Sequence, residues 1–168
     1  MKNNDVNRHR CKLILFGALV LAVMVFIFVL SAEDGNESSE LSNSFLTTLI
    51  GRIINRLTPE SWGLSPKLVI RKCAHMFEYF CLAISAFLFL HELMIGRVRR
   101  CLTSAGLALC WSFLYACSDE WHQSFVPGRS GQFTDVLIDS CGALIGLLAS
   151  LFVAGLIIRR RRLRQERE

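Results

Sequence analysis

The chain has 168 residues, 52% of them hydrophobic and 20% charged, with a formal net charge of +5 and a mean hydropathy of +0.41. Those averages would suit a soluble domain, but the distribution does not: four apolar runs, 13–30, 73–95, 101–117 and 136–158, contain three carboxylates (Glu78, Glu92, Asp139) and no Lys or Arg. Such segregation excludes an ordinary globular core and a disordered chain, and points to a small multi-spanning membrane protein.

Residues 1–12 carry Lys2, Arg8, Arg10 and Lys12 and read as a basic cytoplasmic segment ahead of the first run. A stretch of about 20 apolar residues, at roughly 1.5 Å each, crosses a hydrocarbon layer of about 30 Å. Only helices and closed barrels can cross it, because backbone groups find no water in lipid. Barrel strands alternate polar and apolar residues; run 13–30 does not, so it is predicted to be a helix. The basic start and Ala32 also fit a cleaved secretory signal, but 18 apolar residues are long for its core, which favours an uncleaved anchor.

The connection 31–72 opens with Glu33, Asp34, Glu37 and Glu40 among Asn and Ser, a solvated composition. Phe45, Leu46, Leu49, Ile50, Ile53, Ile54 and Leu57 then recur at helical spacing, with Arg52 and Arg56 on the other face, until Pro59. The pattern predicts an amphipathic helix over about 45–57 in the extracytoplasmic interface, with Trp62 as an anchor. It would serve either as a lid over what lies beneath or as a plain connector between two spans.

Runs 73–95, 101–117 and 136–158 supply the remaining transmembrane helices. The fold expected is all-α: an integral membrane four-helix bundle with an additional interfacial amphipathic helix. Arginines concentrate in the short loop 96–100 and in the basic tail 159–168, whereas connection 118–135 holds Arg129 alone. The positive-inside rule then makes both termini cytoplasmic, in a multi-pass protein of the cell membrane. The positive charge flanks helices, where Arg159 to Arg162 can meet anionic headgroups, and no nucleic-acid module is recognisable. The bilayer is the partner expected, not nucleic acid, and an oligomer is compatible with the sequence. Seven cysteines show no zinc spacing; Cys73, Cys117 and Cys141 near matching helix ends leave room for a disulfide.

The polar residues inside and beside the spans are not scattered. Arg71, His75 and Glu78 follow i, i+4, i+7 spacing and share a helical face, next to Lys72. The third helix finishes at Ser118-Asp119-Glu120-Trp121-His122-Gln123. Asp135, Asp139, Gly142 and Gly146 share a face of the fourth, and the two glycines make a Gly-x-x-x-Gly contact for a neighbouring backbone. Three stretches thus bring polar groups to one membrane depth, where an unpaired charge is costly and must face protein or a wet cavity.

Asp119-Glu120 with His122-Gln123-x-Phe125, then Arg129, Asp135 and the Gly142/Gly146 pair, resembles the signature of the VanZ-like membrane protein family. Upstream, Lys72-x-x-His75-x-x-x-Tyr79 is similar to that family's first motif. The likeness covers roughly residues 67–150. Asp139 departs from it, since the family often has Asn there. The resemblance implies a bacterial envelope protein associated with resistance to glycopeptide antibiotics, teicoplanin in particular.

Two functions are consistent with these residues. The first is a binding role, in which the polar cleft recognises an anionic headgroup or lipid-linked envelope intermediate. Lys72, His122, Gln123, Arg129 and Asp139 are the candidates for contact, with Arg129 able to grip phosphate or carboxylate bidentately. The second is an enzyme modifying such a headgroup by acid–base or phosphoryl chemistry, with His75, Glu78, Asp119, Glu120 and Asp135 as its candidate catalytic groups. A purely structural role remains open: Arg129 pairing with Asp135 or Asp119, and Arg71 or Lys72 with Glu78, would neutralise charge and fix helix register. No metal site is assigned, because the His and acid spacing is not of the His-Glu-x-x-His type. The sequence names no cofactor.

Overall fold

A computed structural model describes residues 3–32, 52–53, 56, 66–94 and 100–166. Four long helices organise it: α1 (Asn3–Ala32), α2 (Pro66–Leu93), α3 (Arg100–Gln123) and α4 (Phe133–Gln165). All four are long and apolar enough to cross a membrane, and no strand occurs among the described residues. The protein is an all-helical multi-pass membrane protein. The predicted interfacial helix lies largely outside the described residues; Arg52, Ile53 and Arg56, which fall within it, are helical.

α1, α3 and α4 outrun at both ends the apolar stretches that predicted them, and α2 starts ahead of its own. Hydropathy marks where lipid ends, whereas a helix ends only where its backbone is interrupted. α4 continues through exposed Arg159, Arg160, Arg162 and Arg164 because Arg, Leu and Gln are good helix formers and no Gly or Pro intervenes. Pro66 opens α2 at the position where a missing N–H costs nothing.

Side-chain contacts give the helix directions. His9 near the start of α1 meets Glu92 at the end of α2 at 2.9 Å. At the opposite end, Ser31 of α1 reaches Asp119 of α3, and Lys72 of α2 pairs with Asp135 of α4. The helices therefore run up, down, up, down. α2 packs against the other three, and α1 and α4 lie on opposite sides of the α2–α3 pair.

The core is built for close approach. Tyr79, Leu82, Ala83 and Ala86 of α2 meet Ala105, Ala108 and Ala116 of α3 and Ala143 and Leu147 of α4. A Cβ on Gly142 would fall on the Met76 carbonyl oxygen, and one on Gly146 would lie 2.6 Å from that of Phe80. The two glycines thus set α4 against the α2 backbone, as their spacing predicts. The outward faces carry Phe26, Phe28, Leu114, Leu148 and Phe152, suited to acyl chains.

Candidate functional site

The two ends of the bundle differ in chemistry. The end where α1 and α2 join by His9 and Glu92 carries the exposed arginines of α4. The other end, where α1 and α3 finish and α2 and α4 begin, gathers the buried polar side chains.

Between α3 and α4 the chain turns tightly. Ser124, Phe125 and Val126 donate their N–H groups to the carbonyls of Glu120, His122 and Gln123, closing the last turn of α3. Val126-Pro127-Gly128-Arg129 is then a β-turn with Arg129 N–H donating to the Val126 carbonyl at 3.1 Å. Gly128 sits at φ 74°, the left-handed value required at the third position of a type II turn. That turn directs Arg129 back onto α1, where its Nη2 donates to the Leu30 carbonyl at 3.1 Å. Leu30 lies in the last turn of α1, so the guanidinium faces the negative end of that helix. Gly131 passes so close to the Glu120 carbonyl that a Cβ would strike it. Here the Gln132 N–H reaches Glu120 Oε2 at 2.9 Å and α4 begins.

The acidic side chains divide into two groups. Asp119 accepts from Ser31 and from Gln123, each at 2.9 Å; Glu120 accepts from the loop backbone; Asp135 is paired with Lys72. These three hold elements together. Asp139 is only 1% exposed, and neither carboxylate oxygen has a hydrogen-bond partner among the described residues. Glu78, 8% exposed, lies 3.5 Å from His75 Nδ1, a contact whose alignment gives neither atom a hydrogen bond. The Tyr79 and Ser112 hydroxyls are also buried without partners. Buried polar atoms in native proteins are almost always satisfied by protein, water or ligand, so this concentration marks a place where something polar belongs.

A narrow pocket opens at that place. Arg71, Lys72, His75, Gln123, Asp135, Ile138 and Asp139 line it. Five of the ten residues singled out from sequence therefore converge: Lys72, His75, Gln123, Asp135 and Asp139. Glu78 contacts His75 beside the pocket, whereas Asp119, Glu120 and Arg129 are bound into the α1–α3 and loop contacts described above. His122 packs at a tilt against Phe28 of α1, ring centroids 4.6 Å apart, and is not part of the pocket lining. Of the pairings open to sequence, Lys72 takes Asp135 rather than Glu78, while Arg129 donates to a carbonyl on α1. Among the described residues no three His, Cys, Asp or Glu side chains form a metal-binding group, and all seven cysteines are free thiols.

Residues 16–154 match the family model described as VanZ/LLP1. The chain belongs to the VanZ/LLP1 family. The matched span begins within α1, ends within α4 and includes every residue of the pocket. Comparisons with curated proteins and with solved structures found no match. The candidates drawn from sequence leave out Arg71 and Ile138, which line the pocket, and Ser31, which is fully buried and bonded to Asp119. Arg71 shares a helical face with His75 and Glu78; the one signal for Ser31 is its place as the first polar residue after the 13–30 run.

Proposed function

We propose that this protein binds the anionic headgroup of an envelope lipid or lipid-linked intermediate in the pocket between α2, α3 and α4, and that this binding underlies a role in glycopeptide resistance of the teicoplanin type. Arg71 carries the reading. It lines the pocket, and among the described residues no carboxylate pairs with it, whereas the neighbouring Lys72 is engaged by Asp135. A guanidinium at the mouth of a pocket at the end of membrane-crossing helices suits a phosphate or carboxylate group. The distribution of Lys and Arg along the sequence supports an extracytoplasmic position for this end. Exposed Trp121 and Phe125, in edge-to-face contact at 5.5 Å, suit headgroup depth and support a membrane-interface location.

A second reading, an enzyme acting on the same headgroup, is favoured by the unpartnered His75 Nδ1 and Glu78 Oε2 beside the pocket. Either atom could receive or deliver a proton once substrate completes the site. Purified full-length protein in lipid nanodiscs, incubated with extracted envelope lipids, separates the two readings by mass spectrometry. Retention of an anionic lipid without new products, lost in Arg71→Gln, is the expected result. New products that disappear in His75→Gln would favour the enzyme. Retention of no headgroup class above background would overturn both.

A further inference from the structure

The end of the bundle away from the pocket holds a second group of polar side chains, and its chemistry is soft. The Met94 N–H donates to the Leu90 carbonyl at 3.0 Å, so helical geometry continues through Met94 and sets it one turn from His91 on the same face. Cys101 and Ser104 stand in the same relation on α3. The two faces meet. Cys101 Sγ lies 3.8 Å from His91 Nδ1, and the fully buried Ser104 hydroxyl donates to Met94 Sδ at 3.6 Å. Phe87 stacks on His91 with ring centroids 5.5 Å apart and holds the imidazole plane. An imidazole, a thiol and a thioether therefore gather where α2 ends and α3 begins.

We propose that His91, Cys101 and Met94 bind one soft monovalent metal ion, Cu(I), between α2 and α3. The separation of the first two carries the assignment. Bonds of about 2.1 Å to an imidazole nitrogen and about 2.3 Å to a thiolate sulfur, at a trigonal angle, put the two donor atoms about 3.8 Å apart. The flexible Met94 side chain, held by Ser104 at one lone pair of its sulfur, completes the trigonal site with the other. Thiolate and thioether ligands select Cu(I) over harder ions. Charge agrees with that choice. On binding, the Cys101 thiol releases its proton to water, and Cu(I) with the thiolate is neutral. A divalent ion would leave a net positive charge beside Arg100, which acts electrostatically on His91. The site lies at the end opposite the headgroup pocket and stands whether or not that pocket takes a lipid.

The test uses the reduced full chain in nanodiscs, loaded with Cu(I) and dialysed against bathocuproine disulfonate, with copper counted per chain by mass spectrometry. Cys11 on α1, two residues from His9, is an exposed thiol at the same end and serves as the control. Wild type and Cys11→Ser should each keep one Cu(I) at chelator concentrations that strip Cys101→Ser. His91→Gln and Met94→Leu should each weaken retention by about tenfold or more. Equimolar Zn(II) should leave the copper in place; its displacement would overturn the choice of a monovalent ion. No copper retained by the wild type, or equal loss from Cys11→Ser and Cys101→Ser, would overturn the site. X-ray absorption of the wild-type complex should show one nitrogen and two sulfur neighbours. A shell lacking the nitrogen or the second sulfur would mean an adventitious ion only and overturn the three-residue assignment. That measurement needs no variant, so it decides the matter even where Cys101→Ser fails to fold.

Discussion

Ser31 donates a hydrogen bond of 2.9 Å to Asp119, fastening the last turn of α1 to the last turns of α3 at full burial. Gln123, one turn along α3, donates to the same carboxylate oxygen at 2.9 Å and lies 3.3 Å from Ser31 Oγ. The three side chains form a closed polar contact inside an otherwise apolar bundle. It makes the first helix a working part of the polar end.

Removing the Ser31 hydroxyl should therefore loosen α1 and take one hydrogen bond from Gln123 at the pocket edge. Ser31→Ala should lower stability by about 1–3 kcal/mol, the cost of withdrawing a partner from a buried charged group. Thermal unfolding in detergent, compared with Asp119→Ala and the double variant, checks this. The double variant should lose less than the sum of the singles, because the two residues share one interaction.

Gly142 and Gly106 make a paired test of helix contact. A Cβ at Gly142 would strike the Met76 backbone carbonyl, whereas at Gly106 nothing lies within 4 Å. Gly142→Ala should cost about 3 kcal/mol or more, since the obstacle is backbone and α4 must move away from α2. Gly106→Ala should be neutral or stabilising by up to about 1 kcal/mol through helix propensity. Urea or thermal denaturation of both variants reads the contrast.

The Lys72–Asp135 pair should behave as a partly exposed ion pair, the side chains being 28% and 22% accessible. Lys72→Met or Asp135→Asn alone should each cost about 1 kcal/mol or less. The exchanged pair, Lys72→Asp with Asp135→Lys, should recover part of what each reversal loses. Greater loss in the exchanged protein than in either single reversal would mean that the two residues do not interact.

Gly128→Ala should strain the α3–α4 turn, because a Cβ disfavours φ 74° by about 1–2 kcal/mol. The displaced turn should carry Arg129 away from the Leu30 carbonyl. Faster hydrogen exchange at the end of α1 would report that release.

The fold was legible in sequence because lipid imposes a strong rule: apolar runs must be helical, and four runs gave four helices. The shared faces were legible for the same reason, since 3.6-residue periodicity alone aligns His75 with Glu78 and Asp135 with Asp139. Partners were not legible. Whether Lys72 reaches Glu78 on its own helix or Asp135 on another depends on helix separation and rotation, which Gly142 and Gly146 fix only once packed. Asp119 and Glu120 read as candidate chemistry because carboxylates at a helix end look alike in sequence. In the structure one is held by Ser31 and Gln123 and the other by the Gln132 N–H. Asp139 stands apart from both only because its oxygens lack partners, a fact visible only in three dimensions.

The contact at the centre of this account is that of Arg71 with a headgroup phosphate. Solid-state NMR on protein labelled with 15N-arginine, in bilayers holding the retained lipid, measures the separation between the guanidinium nitrogens and phosphorus. The expected value for Arg71 is about 4 Å, that of a guanidinium hydrogen-bonded to phosphate, in a contribution that Arg71→Gln removes from the spectrum and Arg129→Lys keeps. A phosphorus coupling absent from the wild type, or a spectrum that Arg71→Gln leaves unchanged, would remove the pocket from headgroup recognition.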